Sequence, residues 1–319
     1  VERVTMPDGN SRKMGVVRLP TFYGTMDKRP SQEGFRSATM DVAKLLASFN
    51  SENVAGLILD LRNNGGGSLR EAISLVGLFV RSGPVVQVRE TRKIVVLPVP
   101  NMDPAAAFRK PVVVLINRAS ASASEIVAAA LHDYGRAVLV GDSQSHGKGT
   151  VQTVLPLGAA KYGSLKITTA SFYRINGAST QRKGIGADIV IPSTLEGLDI
   201  GEDKLPGSLP WTQVEEALYI PVSDVDKFLP ALKEKSASRL AENERYKRYC
   251  ALVRHVKEVS AKQEVPLEIN ARRALIKAES EMRKIDGDNL EGDRKNGTED
   301  DVVLDEALNI LADLVDVSG

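Results

Sequence analysis

The sequence predicts an α/β core followed by an α-helical C-terminal region, and three observations carry that expectation. Short β-branched and apolar runs alternate with segments whose apolar positions recur at helical spacing. The central runs are continuous rather than alternating, as expected for strands buried on both faces. After about Gly201 the composition becomes charged and helical.

Residues 1–13 are polar, with the turn signal MPDGN, and read as the tail of an upstream segment. MGVVRLPTFY (Met14–Tyr23) reads as a strand and SQEGFRSATMDVAKLLASFN (Ser31–Asn50) as a helix. VAGLILDLR (Val54–Arg62) is a continuous apolar strand, followed by NNGGG and the helix SLREAISLVGLFVRSG. The order then repeats: strands PVVQVRE and PVVVLINR, an alanine-rich helix, and the strand AVLVGD. VQTVLPL and SLKITTASFYRI read as a pair of longer strands, and ADIVIP closes the core near Pro192. These signals divide the chain at 14–200 and 201–319, the second part being a helical appendage with a mobile polar loop, DGDNLEGDRKNGTEDD, before a final amphipathic helix.

The 319 residues carry 42 basic and 41 acidic side chains, a net charge of +1. That balance gives no electrostatic case for nucleic acid or an anionic membrane as partner. The single Cys250 has no partner for a disulfide or a cysteine zinc site and reads as a small hydrophobe. No apolar run reaches transmembrane length. The chain opens at Val1 rather than Met, so the lack of a leader says nothing about export.

Chemistry concentrates in NRASASASEIVAAALHDYG (Asn117–Gly135), which sets Ser120, Ser122 and Ser124 on alternate positions between a strand and a helix. One serine suffices for a helix cap. A serine at the positive end of a helix also sits where backbone N–H groups can stabilise an oxyanion, so it is a candidate nucleophile. Its proton needs a base. Lys148, framed by Gly147 and Gly149 in GDSQSHGKGTVQT, can serve if burial keeps its amine neutral. The segment after Gly149 is β-branched, so this is not a phosphate loop, which requires a helix there. His132 or His146 with Asp133 forms the competing Ser-His-Asp arrangement.

Four ordered blocks, LILDLRNNGGGSLREAISL, SASASEIVAAALHDYGRAVLVG, GKGTVQ and FYRINGASTQRKGIGADIVIP, closely resemble the carboxy-terminal processing, or tail-specific, serine peptidases. The likeness runs from Met14 to Pro192, with a looser continuation through LPWTQV. It implies a ClpP/crotonase-like peptidase core and an endopeptidase acting on unfolded or extended polypeptides near their C-termini. Carried onto this sequence, it makes Ser122 the nucleophile, Lys148 the general base and Gln152 the residue that orients the lysine. The backbone N–H groups of Ala123 and Gly67 become the oxyanion donors, and Asp133 a candidate supporting residue. The resemblance further implies no metal or organic cofactor, polypeptide substrates with apolar C-terminal tails, a lipoprotein adaptor as candidate partner, and export to a periplasm. Two departures stand out: His146 occupies a place where relatives usually carry an aromatic, and the PDZ domain that precedes the core in relatives is not in this chain. The alternatives are a non-catalytic peptide-binding scaffold and a crotonase-like acyl-CoA enzyme.

Overall fold

A computed structural model describes residues 2–5, 11–25, 32–91, 93–100, 107–158, 162–261, 267–274, 276–277 and 301–318. In chain order the main elements are β1 (Glu2–Thr5), β2 (Ser11–Arg18), α1 (Ala38–Ser51), β3 (Gly56–Asp60), α2 (Leu69–Val76), β4 (Pro84–Glu90), β5 (Lys93–Pro98) and β6 (Val112–Ile116). They continue with α3 (Ala123–Asp133), β7 (Val138–Gly141), β8 (Thr150–Pro156), β9 (Ser164–Tyr173), β10 (Ile189–Val190), α4 (Leu229–Glu242), α5 (Glu244–Ala261) and α6 (Val302–Ser318). Of the polar loop expected at residues 286–301, residues 286–300 lie outside the described residues.

Two sheets form. The larger has the order β1-β2-β3-β6-β7-β10 and is parallel throughout except for the β1–β2 hairpin. The smaller, β5-β4-β9-β8, is antiparallel.

The continuous apolar runs have the predicted consequence, because successive side chains point to opposite faces of a strand. Leu57, Leu59, Val112 and Val114 join one cluster with residues of α1, α2 and α3. Ile58, Val113, Leu115, Val138 and Val140 face the other way. They pack against α4, α5 and above all α6, whose Ile310, Leu311 and Leu314 are fully buried. A sheet with two apolar faces needs cover on both.

The C-terminal helices are therefore not an appendage, as their charged composition suggested. Helix α6 is one wall of the core, and Leu311 packs so closely on Gly56 of β3 that a Cβ there would stand 2.8 Å from its Cδ1. The attachment continues at the end of β3. Arg62 donates to Asp60 and, through both Nη atoms at 2.9 and 2.7 Å, to Asp301 at the start of α6. Burial disfavours the Asp301 charge, yet the Arg62 guanidinium holds its carboxyl below the ordinary range.

If α6 is part of the core, Leu311→Ala costs about 2–5 kcal/mol and lowers the thermal midpoint by several degrees in a calorimetric melt. An unchanged melt would return the helix to the status of an appendage.

Candidate active site

The parallel strands β3 and β6 end side by side, and the chain leaves both toward the same edge, the usual place for a site in a parallel sheet. Strand β3 runs out into the loop Leu61–Gly67, and β6 into Asn117–Ser122, which enters α3. Side-chain amides and hydroxyls stitch the two loops together. Asn117 and Asn63 exchange hydrogen bonds: Asn63 N–H donates to Asn117 Oδ1 at 3.0 Å, and Asn117 Nδ2 to Asn63 Oδ1 at 2.8 Å. Asn64 Nδ2 donates to Leu19 O at 2.7 Å, and Gly66 N–H to Asn64 Oδ1 at 2.9 Å.

The three serines separate by role. Ser120 and Ser124 are fully buried, and their hydroxyls donate to the carbonyls of Leu61 at 2.8 Å and Asn64 at 2.7 Å. Both are tertiary ties: Ser120 binds the β6 loop, and Ser124 the start of α3, to the β3 loop. Ser122 differs from them. It is half-buried, and its backbone lies at φ 57°, ψ −110°, a conformation that costs a non-glycine residue energy and persists only where its surroundings enforce it.

The enforcing residue is Glu125, one turn into α3. Its buried carboxylate accepts the Ser122 N–H at 2.7 Å and, with the same two oxygens, the Ser145 hydroxyl at 2.6 Å, the Gly147 N–H at 2.7 Å and the Lys148 N–H at 3.0 Å. The backbones of the two predicted catalytic residues thus hang on a single side chain. Burial raises the Glu125 carboxyl to about 7, against the pull of its four donors. All four partners donate, so the ionised form fits the arrangement, and a proton on either oxygen would expel one of them.

Lys148 lies half-buried at the entrance to β8, with Nζ donating to the Thr150 carbonyl at 2.8 Å. Among the described residues no hydrogen bond joins Nζ to Ser122 Oγ. Burial lowers the lysine below its ordinary value, and nearby Lys166 adds to this, while Glu202 and Glu125 oppose it.

The glycine run approaches from the other side. A Cβ on Gly66, which has φ 104°, would stand 2.9 Å from Ser122 Cβ and 3.1 Å from Ala123 N, so only glycine leaves that space open. The N–H groups of Ala123 and Gly67 make no hydrogen bond among the described residues. Ala123 follows Ser122, and Gly67 follows the Gly66 that lies against it; free backbone donors of this kind can stabilise an oxyanion.

Other expected residues lie elsewhere. Gln152 is exposed on β8, next to a break in the β8–β9 register, and its side chain hydrogen-bonds to nothing among the described residues. Asp133 sits at the far end of α3, roughly 16 Å from Ser122 at about 1.5 Å per residue. It accepts from Arg174 and from Asn176 Nδ2 at 3.1 Å, pinning α3 to the end of β9. His132, beside it, pairs with Asp188 at 3.0 Å. His146 rides in the lysine turn, but its Nε2 faces Glu202 at 3.8 Å. Neither histidine makes a hydrogen bond to Ser122 among the described residues. Glu125 was missed by sequence reasoning, although its signal was present: Ser122-x-x-Glu125 has the spacing of a helix capping box.

Residues 13–191 match the model of peptidase family S41. The chain belongs to peptidase family S41. Residues 195–316 match the C-terminal domain of tail specific protease. The tail-specific protease of Haemophilus influenzae is 37% identical over 250 residues, covering 76% of this chain and 34% of that protein. The carboxy-terminal-processing protease of Bartonella bacilliformis is 38% identical over 202 residues, covering 61% and 44% respectively. The chain thus spans less than half the length of these curated relatives. Mature CPAF, a solved structure, superposes with a TM-score of 0.50 at 18% identity over 73% of this chain and 52% of its own, a likeness of fold.

Glu125→Gln replaces one acceptor oxygen with an NH₂ group facing N–H donors. The expected result is a loss of kcat of about 100-fold or more, with the circular dichroism spectrum retained. Wild-type kcat in this variant would remove Glu125 from the site.

Proposed function

We propose that the chain is the peptidase core of a serine endopeptidase with a Ser122/Lys148 dyad, cleaving unfolded or extended polypeptides at or near their C-termini. The observation that carries this reading is the half-buried Ser122 on a strained backbone, with Gly66 packed against it and Glu125 tying it to the turn bearing Lys148.

The chemistry follows from these groups. A neutral Lys148 amine that donates one N–H to Thr150 O keeps its lone pair for the Ser122 proton, so Thr150 takes the orienting part that the resemblance gave to Gln152. Ser122 Oγ attacks the peptide carbonyl carbon as its proton passes to Nζ. The N–H groups of Ala123 and Gly67 hold the resulting oxyanion. The lysine ammonium then gives its proton to the departing amine, and the acyl group stays on Ser122. Water, deprotonated by the same amine, releases the acyl group and restores the hydroxyl. Burial of Nζ makes the base available, because an ordinary lysine is almost wholly charged at neutral pH.

Substrates with apolar C-terminal tails, a lipoprotein adaptor and an exported location belong to the same reading; the names of the relatives support only cleavage that is specific to tails or processes carboxy-termini.

Cleavage of an unstructured protein with an apolar tail, followed from pH 6 to 10, tests it. The rate is expected to rise with pH through a group lying below the ordinary lysine value, as the ammonium loses its proton, and to vanish in Ser122→Ala. Cleavage that survives Ser122→Ala, or a profile governed by His132, would overturn the dyad.

A further inference from the structure

The turn that carries Lys148 is held from two sides, and only one of them belongs to the strands and helices around Ser122. Its backbone is almost fully engaged. Ser145 N–H donates to Ile185 O at 2.9 Å, His146 N–H to Ser120 O at 3.0 Å, and the Gly147 and Lys148 N–H groups to Glu125. Gly149 N–H donates to Gln181 Oε1 at 2.8 Å. On the acceptor side, Ser145 O takes a bond from Arg118 Nη1 at 2.9 Å and Gly147 O one from Arg182 N–H at 2.7 Å.

The remaining partner comes from beyond residue 195. Glu202, in a short 3₁₀ turn at Glu202–Lys204, donates its N–H to His146 O at 2.9 Å. Its Oε1 accepts from Gln181 Nε2 at 3.2 Å, and its Oε2 faces His146 Nε2 at 3.8 Å. Gln181 therefore grips the turn with one end of its amide and Glu202 with the other. Both side chains are buried, at 3% and 9% exposure, so these bonds are little screened by water. The approach of this segment is close. Gly201 has φ 145°, and a Cβ there would collide with the Arg118 guanidinium and the Asp203 carboxylate. Arg118 in turn donates to Ile200 O and pairs with Asp203 at 3.5 Å.

We propose that Glu202 is a positioning residue of the peptidase: through Gln181 and the His146 carbonyl it fixes the turn that presents Lys148. The segment matching the C-terminal domain of tail specific protease would thus complete the active site rather than only cover the core. The proposal rests on the Ser122/Lys148 reading for its catalytic consequence, but not for the clamp itself. The charged and titratable groups around Lys148 are Glu125 from α3, Lys166 from β9, His146 and Arg118 from the neighbouring loops, and Glu202. Glu202 and Glu125 favour the ammonium, whereas Lys166 disfavours it, so removing Glu202 must move the lysine further toward its neutral form.

Two variants of the full-length protein separate charge from clamp. Glu202→Gln keeps an acceptor for Gln181 and loses the charge. It should move the rising limb of kcat/KM, and the Lys148 Nζ titration followed by heteronuclear NMR, to lower pH, with kcat on the alkaline plateau within about threefold of wild type. Glu202→Leu loses both interactions. It should cut kcat at least tenfold at every pH, leave KM within about threefold, and accelerate amide hydrogen exchange at residues 145–149 at least tenfold, with other regions unchanged. An unshifted Lys148 titration in Glu202→Gln, together with unchanged exchange in Glu202→Leu, would overturn the proposal. If Glu202→Leu fails to fold, the titration in Glu202→Gln decides alone. Both physical readouts work without peptidolysis, so a wild-type protein that cleaves nothing would count against the dyad and leave the clamp to be decided by NMR and exchange.

Discussion

The Glu125 carboxylate is the constraint on which the rest of the site depends. It reaches back from the first turn of α3 to hold the Ser122 N–H and across to hold the Gly147 and Lys148 N–H groups, so the proposed nucleophile and base share one anchor. Placing a carboxylate in a dry interior is costly, and its rise to about 7 reflects that cost. Four donors offset it. The unusual backbone of Ser122 is the geometric counterpart of this arrangement: the residue is held in a conformation it would not choose, with its Cβ packed against Gly66 of the glycine run.

That anchor is effective only because the elements carrying it are immobilised. Strands β3 and β6 are buried on both faces, and the loops that leave them are bound together by Ser120, Ser124, Asn63, Asn64 and Asn117. Helix α6 closes the second face and meets the end of β3 through Arg62 and Asp301. Sequence-distant segments are thus combined into one support: residues near the end of the chain back the strand whose loop supplies Gly66 and Gly67.

Much of this could be read from residues alone. The alternation of strands and helices, the strands buried on both faces and the pairing of a serine-bearing helix start with a glycine-framed lysine all follow from local patterns. Three features did not. The charged stretch Val225–Val259 suggested solvated helices, because composition records the outward face and hides how tightly Leu232, Leu240 and Val253 pack beneath it. One serine suffices for a cap, and nothing local shows that Ser120 and Ser124 are tertiary ties whose partners, Leu61 and Asn64, lie 59 and 60 residues away. The exposure of Gln152, the residue that the resemblance gave as orienting Lys148, just past a register break after Val151 was likewise not legible. The first two rest on long-range interactions, which leave no periodic trace.

The central claim is that Ser122 is the activated nucleophile and Lys148 its base. Labelling with a fluorophosphonate probe, read by peptide mass spectrometry, tests it most directly, since it needs no knowledge of the natural substrate. The account predicts one adduct, on Ser122, formed at a rate that rises with pH and falls by orders of magnitude in Lys148→Ala. An adduct on another serine, or a labelling rate indifferent to the loss of Lys148, would contradict it.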